Sequence, residues 1–125
     1  MENKYIPGVC NIGKKETEFR RRFGYAGVTL SVVTAIFLYL LGAPNIFRII
    51  IFLPVFTASF GLSQAYFHFC AEFAMVGVFN FSDTLRKTET VMQAEFRRKD
   101  RLKAIKILAI SFAIASIASI LFILV

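Results

Sequence analysis

With 125 residues the chain has room for one domain, and at 57% apolar and 18% charged residues it is more apolar and less charged than soluble domains usually are. Its net charge of +7 is segregated into blocks beside apolar runs, which points to membrane orientation and anionic headgroups and away from nucleic acid. Two cysteines make no disulfide framework, and the absence of a phosphate-binding glycine loop, a carboxylate pair or a Ser/His/Asp pattern leaves no signature of soluble-type catalysis.

Residues 1–13 hold Pro7-Gly8 and Gly13 without periodicity and read as an irregular arm. Lys14 to Phe23 is a basic block in which Glu16 and Arg20 stand four apart, acid first, the favourable order on a helix. Residues 1–23 are therefore expected to be cytoplasmic, their helix leading into the membrane. The first span covers 24–43, twenty uncharged residues, or about 30 Å of helix. It is too long for the apolar part of a secretory signal, and Pro44 after Leu41-Gly42-Ala43 makes a poor cleavage site. Pro44 stops this helix and Asn45 can cap the next. The second span covers 46–67. Its one charge, Arg48, lies in the first turn, within snorkelling reach of the interface. Pro54 is expected to kink the span by freeing the carbonyl of Ile50, with Thr57 or a neighbouring helix as the compensating partner.

Residues 68–82, Phe-rich but carrying Glu72, Gly77 and Asn80, are too short and too polar for another span. They read as an interfacial segment, with a short re-entrant loop as the alternative. From Asp83 to Val125 there is no Gly or Pro. The simplest reading is one long helix capped by Ser82 or Asp83, with Asp83–Lys87 and Glu95–Lys99 pairs and an apolar stripe of Leu85, Met92 and Phe96. Its first part, 83–104, is a charged cytoplasmic stalk, and 105–125 is a third span; a bend near Lys103 is left open. The expected fold is thus an all-α membrane protein of three transmembrane helices with a long charged helical stalk leading into the third.

Six Lys and Arg residues precede the first span, eight lie between the second and third, and Arg48 alone sits in the turn between the first two. The excess places the N-terminus inside and the C-terminus outside, in a multi-pass protein of a bacterial inner membrane. Each span carries small residues at helical spacing: Gly27, Ser31 and Ala35; Ala58, Gly61 and Ala65; Ser111, Ala115 and Ser119. Such stripes let membrane helices approach closely, either within one bundle or towards a second copy or a partner membrane protein. No span carries a line of ionisable residues that would mark a proton or ion path.

An antiparallel hairpin of the first two spans brings Cys10, His68, Cys70 and Glu72 to one membrane face. His68 and Glu72 share a helical face, but Cys70 lies about 200° from His68, so a metal site there needs non-helical backbone. A redox or persulfide-carrying Cys70, with Cys10 as resolving thiol, is a second reading, since nearby basic residues favour thiolate. The plainer one takes Cys70 as a small buried hydrophobe, Cys10 as incidental, and Glu72 as partner of Arg20 or Arg21. No cofactor is implied.

Asn11-Ile12-Gly13, Glu16, Arg20 and Gly24, with Cys70 and Gly77 at the hairpin's other end, resemble the motif pattern of the YgaP-like transmembrane domain. The resemblance covers roughly residues 10–80. The chain departs from that pattern in having Glu16-Thr17 where the family has Asp-Arg, and Ala71 where it has Pro after the cysteine. No rhodanese domain is present, so no sulfurtransferase activity carries over. The resemblance implies a membrane hairpin able to self-associate, with a cytoplasmic cysteine. The function expected from the sequence is helix–helix interaction, as a homo-oligomer or accessory subunit in contact with membrane lipid, with the thiol relay as the alternative.

Overall fold

A computed structural model describes residues 4–125. The helices are α1 (Lys14–Leu40), α2 (Asn45–Arg48), α3 (Phe52–Phe67), α4 (Ala71–Val76) and α5 (Ala94–Leu124); a 3-10 turn, Ile49–Ile51, joins α2 to α3. Two short strands, β1 (Val78–Phe79) and β2 (Glu89–Thr90), pair antiparallel with Val78 opposite Thr90. Three helical stretches are long and apolar enough to cross a membrane: Lys14–Leu40, Asn45–Phe67 and Ala94–Leu124.

The basic block and the first apolar run form one continuous helix of 27 residues, about 40 Å long. It ends where Gly42 turns left-handed (φ 62°) ahead of Pro44. Pro54 tightens the next span and does not break it. Having no N–H to give Ile50, it leaves the preceding turn as 3-10, in which Phe52 N–H reaches the carbonyl of Ile49. The Thr57 hydroxyl donates to Leu53 O (3.0 Å), so it is not the compensating partner of Ile50. Arg48 stays at the far end of the spans. Its guanidinium donates to Ala43 O (3.2 Å) in the turn after α1 and to Phe122 O (3.3 Å) in the last turn of α5, one of that helix's unpaired terminal carbonyls.

Helix α3 is the central element, packed against α1 on one side and α5 on the other, while α1 and α5 share little contact. The small-residue stripes explain this order. A Cβ at Gly27 would fall 2.6 Å from the backbone nitrogen of Ala58, and one at Gly61 would fall 2.8 Å from that of Gly24, so α1 and α3 touch backbone to backbone. On the other side Ser59 donates to the carbonyl of Ser111 (3.3 Å), and Ser111, Ala115 and Ser119 are buried. The remaining faces expose bulky apolar side chains such as Leu30, Val33, Phe37, Leu53, Phe112 and Ile120, the surface a bilayer would cover.

The stalk reading is corrected. Residues 83–93 are not helical, and α5 begins at Ala94 behind Gln93, with neither Ser82 nor Asp83 as its cap. Thr88-Glu89-Thr90-Val91 is rich in β-branched residues; Glu89 and Thr90 pair with Phe79 and Val78, and Val91 buries its side chain. Leu85 and Met92 are consequently exposed and form no stripe with Phe96, and no Asp83–Lys87 ion pair is among those of the described residues. The Glu95–Lys99 pair is present at 3.7 Å. Within residues 68–82, Phe69, Ala71 and Ala74 form a core with Ala104 and Ile107 of α5, while Glu72, Met75 and Val76 are exposed.

The arm is structured within its described part. Tyr5 stacks on Phe79 (centroids 4.6 Å apart), its hydroxyl donates to Asp100 Oδ2 (2.6 Å), and Gly8 N–H donates to Asp100 Oδ1 (2.8 Å). Arm, α4, the strand pair and the start of α5 thus form a polar cap over one end of the three long helices.

Candidate functional site

The cap brings several of the residues singled out in the sequence, among them Asn11, Gly13, Glu16, Arg20 and Cys70, into one network. Asn11 reaches across to Cys70 with both ends of its amide: Nδ2 donates to Cys70 O (3.0 Å) and Oδ1 accepts from Cys70 N–H (2.7 Å). The backbone of Asn11 accepts from Asn80 N–H (3.0 Å), and Gly13 N–H donates to Asn80 O (2.8 Å). Gly13 permits this closeness, since a Cβ there would stand 3.1 Å from Phe81 Cα. One asparagine side chain therefore acts as a strand-like partner for the turn between α3 and α4.

That turn is made by His68, which closes α3 in the left-handed conformation (φ 53°), and by extended Cys70, which opens α4. Cys70 Sγ accepts from Phe73 N–H (3.4 Å) as a helix cap and from Arg20 Nη2 (2.7 Å). Arg20 Nη1 donates to the Glu16 carboxylate one helical turn back, and the guanidinium lies over the Phe73 ring at 5.2 Å. The second Glu16 oxygen accepts from Arg86 N–H (2.7 Å). Glu16 is 1% exposed, Arg20 5% and Cys70 1%. A buried ion pair gives weak net stabilisation but is costly to break, so these residues act as a unit.

Glu72 does not pair with Arg20 as the sequence suggested. It is exposed and binds Arg86 at 2.8 Å, because α4 turns it outward while Glu16 reaches Arg20 from its own helix. His68, Cys70 and Glu72 point to three different partners: His68 Nδ1 to the Thr17 hydroxyl (3.5 Å), Cys70 to Arg20, and Glu72 to Arg86. Among the described residues no three His, Cys, Asp or Glu side chains are grouped to hold a metal ion. Cys10 and Cys70 form no disulfide, and the Cys10 thiol donates to Lys4 O (3.2 Å). Gly24 and Gly77 complete the motif by close packing: a Cβ at Gly24 would meet Leu62 at 2.6 Å, and one at Gly77 (φ 88°) would meet the Arg97 side chain at 2.8 Å.

Burial pushes the Cys70 thiol above its ordinary pKa, and the Arg20 charge offsets only part of that. Burial and the neighbouring Arg21 charge push His68 down, so the imidazole is neutral at neutral pH. Tyr5 is raised by burial and by its bond to Asp100, which keeps the phenol protonated as the donor. A protonated, capped thiol is a poor nucleophile, and the chemistry of the cluster is that of a polar clasp.

Sequence reasoning missed Asn80, Gln64, Thr17, Tyr5 and Asp100. Two carried a signal: Gln64 is the one amide side chain of the second span, and Asp100 is a lone acid within Arg97-Arg98-Lys99-Asp100-Arg101. Gln64 accepts from Ala71 N–H (3.0 Å) and helps hold the turn.

Beside the clasp lies a cavity of about 300 Å³ between α1 and α3, with Phe19 and Phe23 on one side and Phe56 and Phe60 on the other. Arg20, Gln64 and Cys70 line it towards the clasp, and Glu72 and Arg86 stand at its outer edge. Compared with known protein families, curated proteins and solved structures, the chain matches none. The likeness to the YgaP-like domain therefore rests on the motif residues alone.

Proposed function

We propose that the protein is a non-catalytic, three-span protein of a bacterial inner membrane that works by helix–helix association, with a second copy or with a partner membrane protein. The observation that carries this reading is the open arrangement of the spans. Helix α3 consumes the small faces of both neighbours, while α1 and α5 barely meet, so the molecule is a layer and not a closed bundle. A layer leaves a broad apolar face on each side, suited to stacking against another helical surface. The commitment of Cys70, Glu16, Arg20 and Asn11 to one another favours this reading over a thiol relay, because a relay needs an accessible thiolate.

The orientation belongs to the same proposal. Fourteen of the fifteen Lys and Arg residues flank the cap end of the spans, which supports a cytoplasmic N-terminus. Light scattering and crosslinking of the chain extracted in mild detergent test the association. Oligomers or a stoichiometric partner are expected, and a bare monomer at native expression would refute it. A reporter joined after Val125 tests the orientation and is expected to be active only outside the cytoplasm.

A further inference from the structure

The cavity between α1 and α3 has the build of an amphiphile site placed where a lipid changes from head to chain. On α3 it runs from Gln64 to Phe56, eight residues or about 12 Å along the helix. Its upper end meets the exposed Arg86 and Glu72, and its lower walls are the rings of Phe23, Phe56 and Phe60. At its inner edge stands Arg20, 5% exposed, whose Nε–H is sealed from the cavity and has no partner among the described residues. Gln64 spends its amide oxygen on Ala71 and keeps its nitrogen as a free donor.

The charge around the cavity is unbalanced in the same sense. Lys15 and Arg22 lie one turn to either side of Phe19, on its face of α1. With Arg20 and Arg86 they make four cations lining this cavity and the adjoining cleft, against the carboxylates of Glu18 and Glu72, an excess of two. A free amide donor, surplus positive charge at headgroup level and aromatic walls below together describe a phosphate with ester oxygens and an alkyl chain.

We propose that this cavity seats one anionic phospholipid of the leaflet at the cap end. Its phosphate lies at the outer edge among Lys15, Arg22 and Arg86, an ester oxygen takes the free amide N–H of Gln64, and the root of one acyl chain runs along Phe23, Phe56 and Phe60. The volume holds the glycerol region and the first carbons of one chain, with the rest of the lipid in the bilayer. The proposal rests on the membrane placement above and goes beyond it by naming a bound ligand.

The test is the full chain in nanodiscs of equal phosphatidylglycerol and phosphatidylcholine, released into native mass spectrometry and scored for retained lipid. One phosphatidylglycerol is expected, preferred about tenfold or more over phosphatidylcholine, on the scale of two surplus cations. Arg22→Gln and Arg86→Gln each lower that preference about fivefold, the equivalent of roughly 1 kcal/mol. Thr57→Trp fills the cavity with the charges intact and abolishes retention, whereas Arg98→Gln, exposed and outside the cavity, leaves it unchanged. Equal retention of both lipids, no retained lipid, or retention that survives Thr57→Trp would overturn the proposal; so would Arg98→Gln acting as strongly as Arg86→Gln. If Thr57→Trp does not fold, the wild-type preference and the Arg98 comparison still decide. Nanodiscs present both leaflets and single chains, so failure here is distinct from failure of the orientation or of the association.

Discussion

Replacing Gly27 by alanine adds one methyl group at the tightest point of the α1–α3 contact. The new Cβ would stand 2.6 Å from Ala58 N, 2.7 Å from its Cα and 3.0 Å from its Cβ. Two of those atoms are backbone and cannot rotate away. Ordinary contact begins at 3.4 Å, so the helices must part locally by 3.4 − 2.6, or 0.8 Å. A gap of that size forfeits about a quarter to a half of the dispersion energy of the contacts it opens. It would also loosen Gly24 against Leu62 and Gly61 against Gly24, which lie on the same seam. Overpacking alone costs about 1–3 kcal/mol, and with the loosened seam a loss of about 3 kcal/mol is expected. Reversible unfolding in mild detergent, followed by circular dichroism, measures it. Two comparisons isolate the cause. Gly42→Ala meets nothing within 4 Å and carries only the strain of its positive φ, about 1 kcal/mol. Ala26→Leu enlarges an exposed position of the same helix and is expected to change nothing. A Gly27→Ala protein within about 0.5 kcal/mol of wild type would mean that α1 and α3 do not meet along this seam.

The clasp supports three further predictions. Asn11→Ala leaves the buried Cys70 N–H and C=O without their side-chain partners and is expected to cost about 2–4 kcal/mol by the same unfolding measurement. Glu16→Gln breaks a buried pair and is expected to cost about 3–5 kcal/mol, whereas Glu72→Ala removes an exposed one and costs under about 1 kcal/mol. For the same reason the charge exchange Arg20→Glu with Glu72→Arg should show no rescue over its single variants. His68 has a folded pKa below its ordinary 6.5, so the unfolded chain binds the proton first. Stability tied to this residue is full above pH 6.5 and is lost as the pH falls through the lower folded value. His68→Asn, which tolerates the left-handed backbone, should flatten that acid limb in pH-dependent melting, and an unchanged limb would assign it elsewhere.

Much of the clasp could be anticipated as a set of residues but not as a set of bonds. Asn11, Gly13, Glu16, Arg20, Gly24, Cys70 and Gly77 are the residues that carry the resemblance to the YgaP-like motif, and they meet or pack within the cap and the adjoining seam. Pairing Arg20 with Glu72 was the natural reading of two flanking charges. It failed because helix geometry already supplies Glu16 four residues away, and because the α3–α4 turn rotates Glu72 outward to Arg86. The helical stalk failed for a related reason. An absence of Gly and Pro permits a helix without requiring one, and the β-branched run Thr88 to Val91 had a strand partner in Val78–Phe79 that only the fold brings near.

By itself, the sequence determined the number of membrane-length helices, their approximate limits and the turn at Gly42–Pro44. These depend on local quantities: apolar length against bilayer thickness, and the backbone preferences of glycine and proline. It also marked the small residues along which the spans pack. Only the tertiary structure decided that α3 lies between α1 and α5, that Tyr5 and Asp100 tie the arm down, and that Arg20 is shared between Glu16 and Cys70 with one donor left over. Most of those choices join residues thirty or more positions apart, such as Gly27 with Ala58 and Tyr5 with Asp100. They are settled by which buried donors and acceptors can satisfy one another at once, a condition on the whole fold that no local pattern expresses.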